Sequence, residues 1–157
     1  MSVGEVSRER VEERLVALDD AFDSFPVNQT TLTVSSDGYQ QIRERCRESL
    51  VDAYVQVYND DGQALLVGDG TVPQVEPAPE EGVVAGVRRA LRDRTGVDVD
   101  LTGLERVTIL GVCDETADDP DPVYRLVVVL AGERVSGTSG SDCEWSEGVP
   151  ASALPAQ

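Results

Sequence analysis

A change in hydrophobic periodicity between residues 51 and 97 constrains the fold of this chain more than any other feature. Residues 51–58 (VDAYVQVY) alternate with a period of two, which predicts a half-buried β-strand. Residues 59–62 (NDDG) then predict a turn, and residues 63–67 predict the returning strand. From residue 83 to about 94 the apolar residues recur at helical spacing instead. This order predicts a hairpin, a loop and an amphipathic helix within a mixed α/β domain.

The predicted helix has recognisable ends and one unusual face. Its buried stripe comprises Val83, Val84, Val87 and Leu91. Gly82 marks its start, and Thr95-Gly96 predicts its end, because glycine adopts the left-handed cap conformation without steric cost. Positions 90, 93 and 94 are three and four residues apart, so they share a face. That face carries a methyl group, a carboxylate and a guanidinium, from Ala90, Asp93 and Arg94.

Residues 71–97 resemble the Nudix box, the motif G-x5-E-x7-R-E-U-x-E-E-x-G-U of Nudix hydrolases, where U is aliphatic. Five positions match at the required spacing, namely Glu81, Arg89, Leu91, Gly96 and Val97. The leading glycine is replaced by Val75, and the three helix glutamates are replaced by Ala90, Asp93 and Arg94. The hairpin, the loop after Pro73 and the helix also follow the usual order of the family.

The resemblance implies a chemistry that this chain has partly lost. In the family, the helix glutamates hold the divalent metal, Mg²⁺ or Mn²⁺, that activates water on a nucleoside diphosphate linked to another group. Arg94 keeps its charge at any working pH and would repel a metal from that place. Glu81 and Asp93 remain as candidate catalytic residues and metal ligands. Arg89 and Arg94 are candidates to hold phosphate directly, guanidinium to oxygen.

By resemblance the ligand is ADP-ribose, a nucleotide sugar or a similar small molecule, and two functions stay open. In the first, the protein is a pyrophosphohydrolase with residual activity through Glu81 and Asp93. In the second, it is a binding or regulatory module without hydrolysis, which the loss of two box carboxylates favours. An unrelated structural α/β protein is a third alternative. Trp145 is a candidate to stack on the nucleotide base, although core packing is the commoner role of such a residue.

The composition is strongly acidic. There are 30 acidic and 13 basic residues, every basic residue is Arg, and the formal charge is −17 on 157 residues. Hydrophobic residues reach 40 % and fall in periodic runs, so we expect a packed domain rather than disorder. We interpret the charge as adaptation to a salt-loaded cytoplasm of the haloarchaeal type, because a Debye length of about 3 Å at ~1 M salt screens self-repulsion. No basic patch offsets the charge, which argues against a nucleic-acid partner.

The residue types that the chain lacks exclude several kinds of catalytic and metal site. Without histidine, the chain has neither Ser-His-Asp nor Cys-His catalysis, nor an imidazole metal site. The spacing of Cys46, Cys113 and Cys143 fits neither a disulfide framework nor a zinc motif. No apolar run approaches the ~18 residues of a membrane span, and the N-terminus lacks a signal-peptide pattern. We therefore expect a cytoplasmic protein with no membrane partner.

We divide the chain into an N-terminal helical extension (1–50), a Nudix-like domain (51–150) and a C-terminal tail (151–157). The predicted fold class is mixed α/β, a Nudix-like α/β/α sandwich with a mixed central sheet. The extension should contain a helix that starts with a capping box at Ser2 and Glu5 and ends before Pro26.

The remaining elements are placed from hydrophobic pattern alone. Ahead of the hairpin we predict a strand over 30–34 and a helix over 37–50. After the box we predict four strands, over residues 97–101, 104–113, 123–131 and 143–145. The run 123–131 is aliphatic enough to be buried on both faces. The acidic loop 114–121 is a possible source of an oxygen ligand, although a solvated loop is the commoner role.

Overall fold

The computed structural model describes residues 3–22, 24–68, 70–117 and 122–147, and in them three helices pack on a seven-stranded sheet. The helices are α1 (Val3–Ala21), α2 (Ser36–Glu48) and α3 (Val83–Thr95). The strands are β1 (Val27–Val34), β2 (Val51–Tyr58), β3 (Ala64–Val67), β4 (Gln74–Val75), β5 (Val97–Asp114), β6 (Val123–Gly137) and β7 (Cys143–Ser146). The mixed α/β class with a mixed central sheet is confirmed. Ser2, residues 118–121 and the tail 151–157 lie outside the described residues.

The sheet has the strand order β1-β5-β6-β2-β3-β7, and β4 pairs with β2 beside this path. β1 runs parallel to β5 and β2 runs parallel to β6, whereas the other pairs are antiparallel. The two strands predicted over 97–101 and 104–113 form one strand, β5. Its register against β6 shifts between Leu101 and Gly103 and again between Leu104 and Arg106. Bulges of this kind bend a strand without ending it, so residues 102–103 do not form the expected break.

The main core draws on both sides of the boundary predicted at residue 50. The period-two pattern of β2 is confirmed, since its buried residues are Val51, Ala53, Val55 and Val57. The same core cluster contains Val11 and Leu18 of α1, and Cys46 at the end of α2. β1 also joins the sheet through β5. Residues before 51 therefore supply part of the core and one strand of the sheet, rather than a separate core of their own.

Residues 123–132 of β6 are buried or half-buried on both faces, as predicted for 123–131, whereas residues 133–137 are exposed. One of the buried residues is charged. Arg125 is 2 % exposed, and its Nε and Nη2 donate to the two carboxylate oxygens of Asp52 at 3.1 and 2.9 Å. Its Nη1 donates to the carbonyl oxygen of Ser49 at 2.8 Å. Burial opposes ionisation of Asp52, but the hydrogen bonds and the charge of Arg125 outweigh it and hold the pKa of Asp52 below its usual value. A buried ion pair thus joins β6 to β2.

No helix among the described residues is long and apolar enough to cross a membrane.

Candidate functional site

The helix of the resembled motif, α3, forms for the reasons that its sequence indicates. Val83, Val87 and Leu91 are buried along one stripe. Gly82 caps its N-terminus without a side-chain hydrogen bond, and Gly96 ends it at φ 79°, in the left-handed region that favours glycine. Of the three positions that share a face in the resembled motif, Asp93 and Arg94 are exposed, whereas Ala90 is half-buried.

A close approach fixes the loop ahead of α3. A Cβ atom at Gly86 would lie 2.6 Å from the Cβ of Pro77, so only glycine lets the helix and the loop meet there. From α1, Arg14 donates to the carbonyl oxygens of Ala78 and Pro79 at 3.1 and 3.0 Å, and also to that of Glu81. The loop that carries Glu81 is thus held by a helix far away in the sequence.

Arg89 binds both carboxylates that survive from the resembled motif. Its Nε and Nη2 donate to the two carboxylate oxygens of Glu81, each at 2.7 Å. Its Nη1 donates to a carboxylate oxygen of Asp93 at 3.0 Å. The backbone N–H of Ala78 also donates to Glu81, at 2.9 Å. The candidate metal ligands Glu81 and Asp93 are therefore brought together, but with a guanidinium between them.

This arrangement determines the protonation of the cluster. The hydrogen bonds from Arg89, together with the N–H of Ala78, lower the pKa of Glu81 to about 2. The hydrogen bonds to Glu81 and Asp93 raise the pKa of Arg89 in turn. Glu81 is thus a carboxylate at any working pH. It is a weak base, because both of its oxygens accept charge-assisted hydrogen bonds.

The donor set does not fit a Mg²⁺ or Mn²⁺ ion. These ions need several oxygen ligands around one point. Within the part of the chain that the structure describes, no group of three or more Asp, Glu or Cys side chains is placed to hold a metal. Ala90 supplies no oxygen and packs against the core. Asp114, at the start of the acidic loop, accepts hydrogen bonds from the backbone N–H and the hydroxyl of Thr116, at 2.9 and 2.7 Å.

The two candidate phosphate-binding arginines are differently placed. Arg89 has its donors directed at Glu81 and Asp93, whereas Arg94 is exposed and forms no ion pair with any residue in the described ranges. Burial raises the pKa of the Cys143 thiol, and Arg94 lies close enough to act against that shift. The end of α3 next to Arg94 lies near β7, because the carbonyl oxygen of Thr95 accepts from the N–H of Gly140, three residues before Cys143. Arg89 is committed to the carboxylate cluster.

Trp145 lies on β7, two residues from Cys143, so the two side chains share a face of the strand. It lines a cleft of about 280 Å³ with seven other residues, namely Asn59, Asp60, Asp61, Arg134, Gly137, Thr138 and Ser139. Trp145 also packs partly against the main core, so it has the core-packing role that is commoner for such a residue as well.

The end of α3 and the wall of this cleft are in contact. The backbone N–H of Gly140 donates to the carbonyl oxygen of Thr95 at 3.0 Å. Gly137 has φ 90°, and a Cβ there would lie 2.3 Å from the carbonyl oxygen of Gly96. The cleft was not predicted from the sequence. The sequence features found at this cleft are the Gly/Ser run after residue 136 and the single tryptophan of the chain.

No family model matches the sequence, and no curated protein matches it. Among solved structures, the chain is similar to the MutT protein from Methanosarcina mazei Go1, with 15 % identity, 62 % of this chain and 75 % of that chain covered, and a TM-score of 0.44. It is also similar to a UDP-X diphosphatase, with 9 % identity, coverage of 93 % and 83 %, and a TM-score of 0.46. These identities are too low to assign either protein's activity to this chain.

Proposed function

We propose that this protein binds a nucleoside diphosphate derivative, of the ADP-ribose or nucleotide-sugar type, and does not hydrolyse it with a divalent metal. The observation that carries the proposal is the position of Arg89, which occupies both oxygens of Glu81 and one oxygen of Asp93. A metal would have to displace a guanidinium from the two carboxylates that stand at acidic positions of the resembled motif, Glu81 and Asp93. The ligand class follows from the resemblance of residues 71–97.

The cleft beside Trp145 supports the proposal that this protein binds a nucleoside diphosphate derivative. An aromatic face stacks on any base, and Arg134 supplies a guanidinium in the same cleft. Its volume of about 280 Å³ lies just below the ~300–1,000 Å³ of small-molecule sites. It therefore suits a base and ribose. Arg94 does not line the cleft, and we propose that the diphosphate extends out of the cleft, past the end of α3, to reach it. Forked guanidinium-to-phosphate hydrogen bonds need no metal.

The charge of the chain predicts how the affinity for a diphosphate depends on salt concentration. Asp60 and Asp61 line the cleft, and the chain carries a formal charge of −17, so a diphosphate is repelled in dilute buffer. At ~1 M salt the Debye length of about 3 Å removes this long-range repulsion but leaves contacts at hydrogen-bond distance. We expect affinity to rise with KCl concentration, the opposite of an ordinary phosphate-binding protein.

Calorimetric titration of ADP-ribose in multimolar KCl tests the proposal. Affinity should be the same in EDTA as in Mg²⁺. Arg94→Ala should weaken binding by about 1.5–3 kcal/mol, the contribution of a charge-assisted hydrogen bond. Trp145→Leu should weaken it by about 1–3 kcal/mol, the value of one stacked base. Arg92→Ala is the matched control, because Arg92 is an exposed arginine of the same helix turn.

Two results would overturn the proposal. Absence of binding to ADP-ribose and UDP-sugars in every condition would remove the ligand class. Binding that requires Mg²⁺ and survives Arg94→Ala would show that a metal, rather than the arginine, holds the diphosphate.

A further inference from the structure

Strand β1 is an unprotected edge of the sheet. Within the described residues it pairs with β5 alone, and it ends the strand order. Seven of its eight residues are exposed, and two of them are large and apolar, Val27 and Leu32, each 48 % exposed. The opposite edge, β7, has only four residues and includes Glu144. Proteins usually blunt an edge with shortness or charge, and β1 has neither.

The backbone of β1 presents a regular set of hydrogen-bonding groups to solvent. Val107 donates its N–H to the carbonyl oxygen of Pro26, and Glu115 donates to that of Val34, so the even-numbered residues face β5. In a strand, successive residues point their N–H and C=O groups to opposite sides. The odd-numbered residues, Val27, Gln29, Thr31 and Thr33, therefore direct both groups away from the sheet.

Charge indicates what can pair with this edge. Residues 24–36 form the longest uncharged run in a chain whose charged residues make up 27 %. Two copies that each carry a formal charge of −17 repel one another over most of their surfaces. They can approach closely at an uncharged strand, above all where salt screens the rest.

The strand is also complementary to itself. In an antiparallel pair about a two-fold axis, outward-facing residues must oppose outward-facing residues. The register centred on Thr30 meets this condition, because it sets Val27 opposite Thr33 of the second copy and Gln29 opposite Thr31. Thr30 then opposes itself, and paired threonines are favourable across strands. In this register no two charged residues lie opposite each other, and no proline interrupts the hydrogen bonds of the ladder.

We propose that two copies of this protein associate through antiparallel pairing of β1, which makes one continuous sheet across a two-fold axis. The outward N–H and C=O groups of the odd-numbered residues then gain the partners that buried backbone groups require. This contact is independent of the ligand cleft, since none of its residues lines that cleft.

Sedimentation equilibrium in multimolar KCl provides the first test. The mass of the natural protein should rise with concentration from 16.9 kDa to twice that value. Thr31→Pro removes an outward N–H and none that faces β5, so it should keep the fold and remain a monomer. Val16→Asn is the matched control, since Val16 is 63 % exposed on α1 and should not affect association.

Hydrogen exchange of the natural protein tests the proposal without any substitution. The amides of Gln29, Thr31 and Thr33 should exchange at least tenfold more slowly at concentrations where the protein is dimeric. The amides of Asn28, Thr30 and Leu32 face β5 and should be unchanged. A natural protein that stays monomeric at all concentrations overturns the proposal. So does a dimer in which the three outward amides still exchange rapidly, because its contact lies elsewhere.

Discussion

Two arginine–carboxylate clusters lie in contrasting surroundings in this molecule. Arg125 and Asp52 join β6 to β2, with side chains 2 % and 13 % exposed. Arg89, Glu81 and Asp93 lie at and before α3, with side chains 40 %, 24 % and 64 % exposed. Removing one partner of a buried pair costs several kcal/mol, whereas an exposed pair contributes about 0–1 kcal/mol. We therefore expect the buried cluster to contribute to the free energy of unfolding. The exposed cluster contributes little to it, but it determines which carboxylates and guanidinium groups are free to bind a metal or a phosphate.

The largest effect is expected at the buried cluster. Arg125→Ala removes the buried donor of the Ser49 carbonyl oxygen and leaves Asp52 with only its exposed donors Arg45 and Gln74. It should therefore lower the free energy of unfolding by about 3–5 kcal/mol. Urea unfolding in multimolar KCl measures this. Arg47→Ala, which breaks an exposed pair with Glu44 on α2, should cost about 0–1 kcal/mol. Equal losses in the two variants would contradict the contrast between buried and exposed pairs.

Salt should stabilise the whole molecule, since its charge is spread over the surface. Between dilute buffer and ~2 M KCl, the thermal unfolding midpoint should rise steeply as self-repulsion is screened. The loss caused by Arg125→Ala should change little over this range, because a buried pair is poorly screened. A midpoint that stays flat across the range would rule out salt adaptation as the reason for the −17 charge.

A smaller effect is expected at the exposed cluster. Arg89→Ala should lower the free energy of unfolding only slightly at low salt, far less than Arg125→Ala, and less still in multimolar KCl. Arg88→Ala is the matched control on the same helix, since Arg88 has an exposed pair with Asp98 at 3.5 Å. A loss at Arg89 as large as that at Arg125 would show that the motif cluster is a structural one.

The smallest effect concerns the titration of Glu81. Its pKa is lowered from 4.5 to about 2, so the ion pair stabilises the fold above pH 4.5 and that stabilisation is lost as the pH falls toward 2. Carboxyl chemical shifts followed by NMR should show this midpoint in the natural protein. In Arg89→Ala the midpoint should return toward 4.5. A midpoint near 4.5 in the natural protein would mean that Arg89 is not bound to Glu81 in solution.

Periodicity was sufficient to predict the elements that surround the site. The bounds of β2 agree with the prediction, and those of α3 differ by one residue, because each has one buried face and a glycine-containing turn at one end. β4 was missed, since two residues carry no periodic signal. The single strand β5 was divided in two, because its bulges interrupt the alternation that sequence reasoning relies on.

The contacts that define the candidate site were harder to predict. Arg14 reaches Glu81 across 67 positions, and Arg125 reaches Asp52 across 73. Local sequence patterns do not reveal pairings between residues so far apart in the chain. The motif identified Glu81, Arg89 and Asp93 as candidate site residues. Their spacing alone could not show that Arg89 binds both carboxylates.

We propose that Arg89, together with the absence of glutamates at positions 90 and 94, leaves this protein without metal-dependent hydrolysis. The most direct measurement is the release of nucleoside monophosphate from ADP-ribose and UDP-sugars in multimolar KCl, with Mg²⁺ or with Mn²⁺. We expect no release above the protein-free rate for the natural protein, and the same for Glu81→Gln. Metal-dependent turnover by the natural protein that Glu81→Gln or Asp93→Asn abolishes would contradict it.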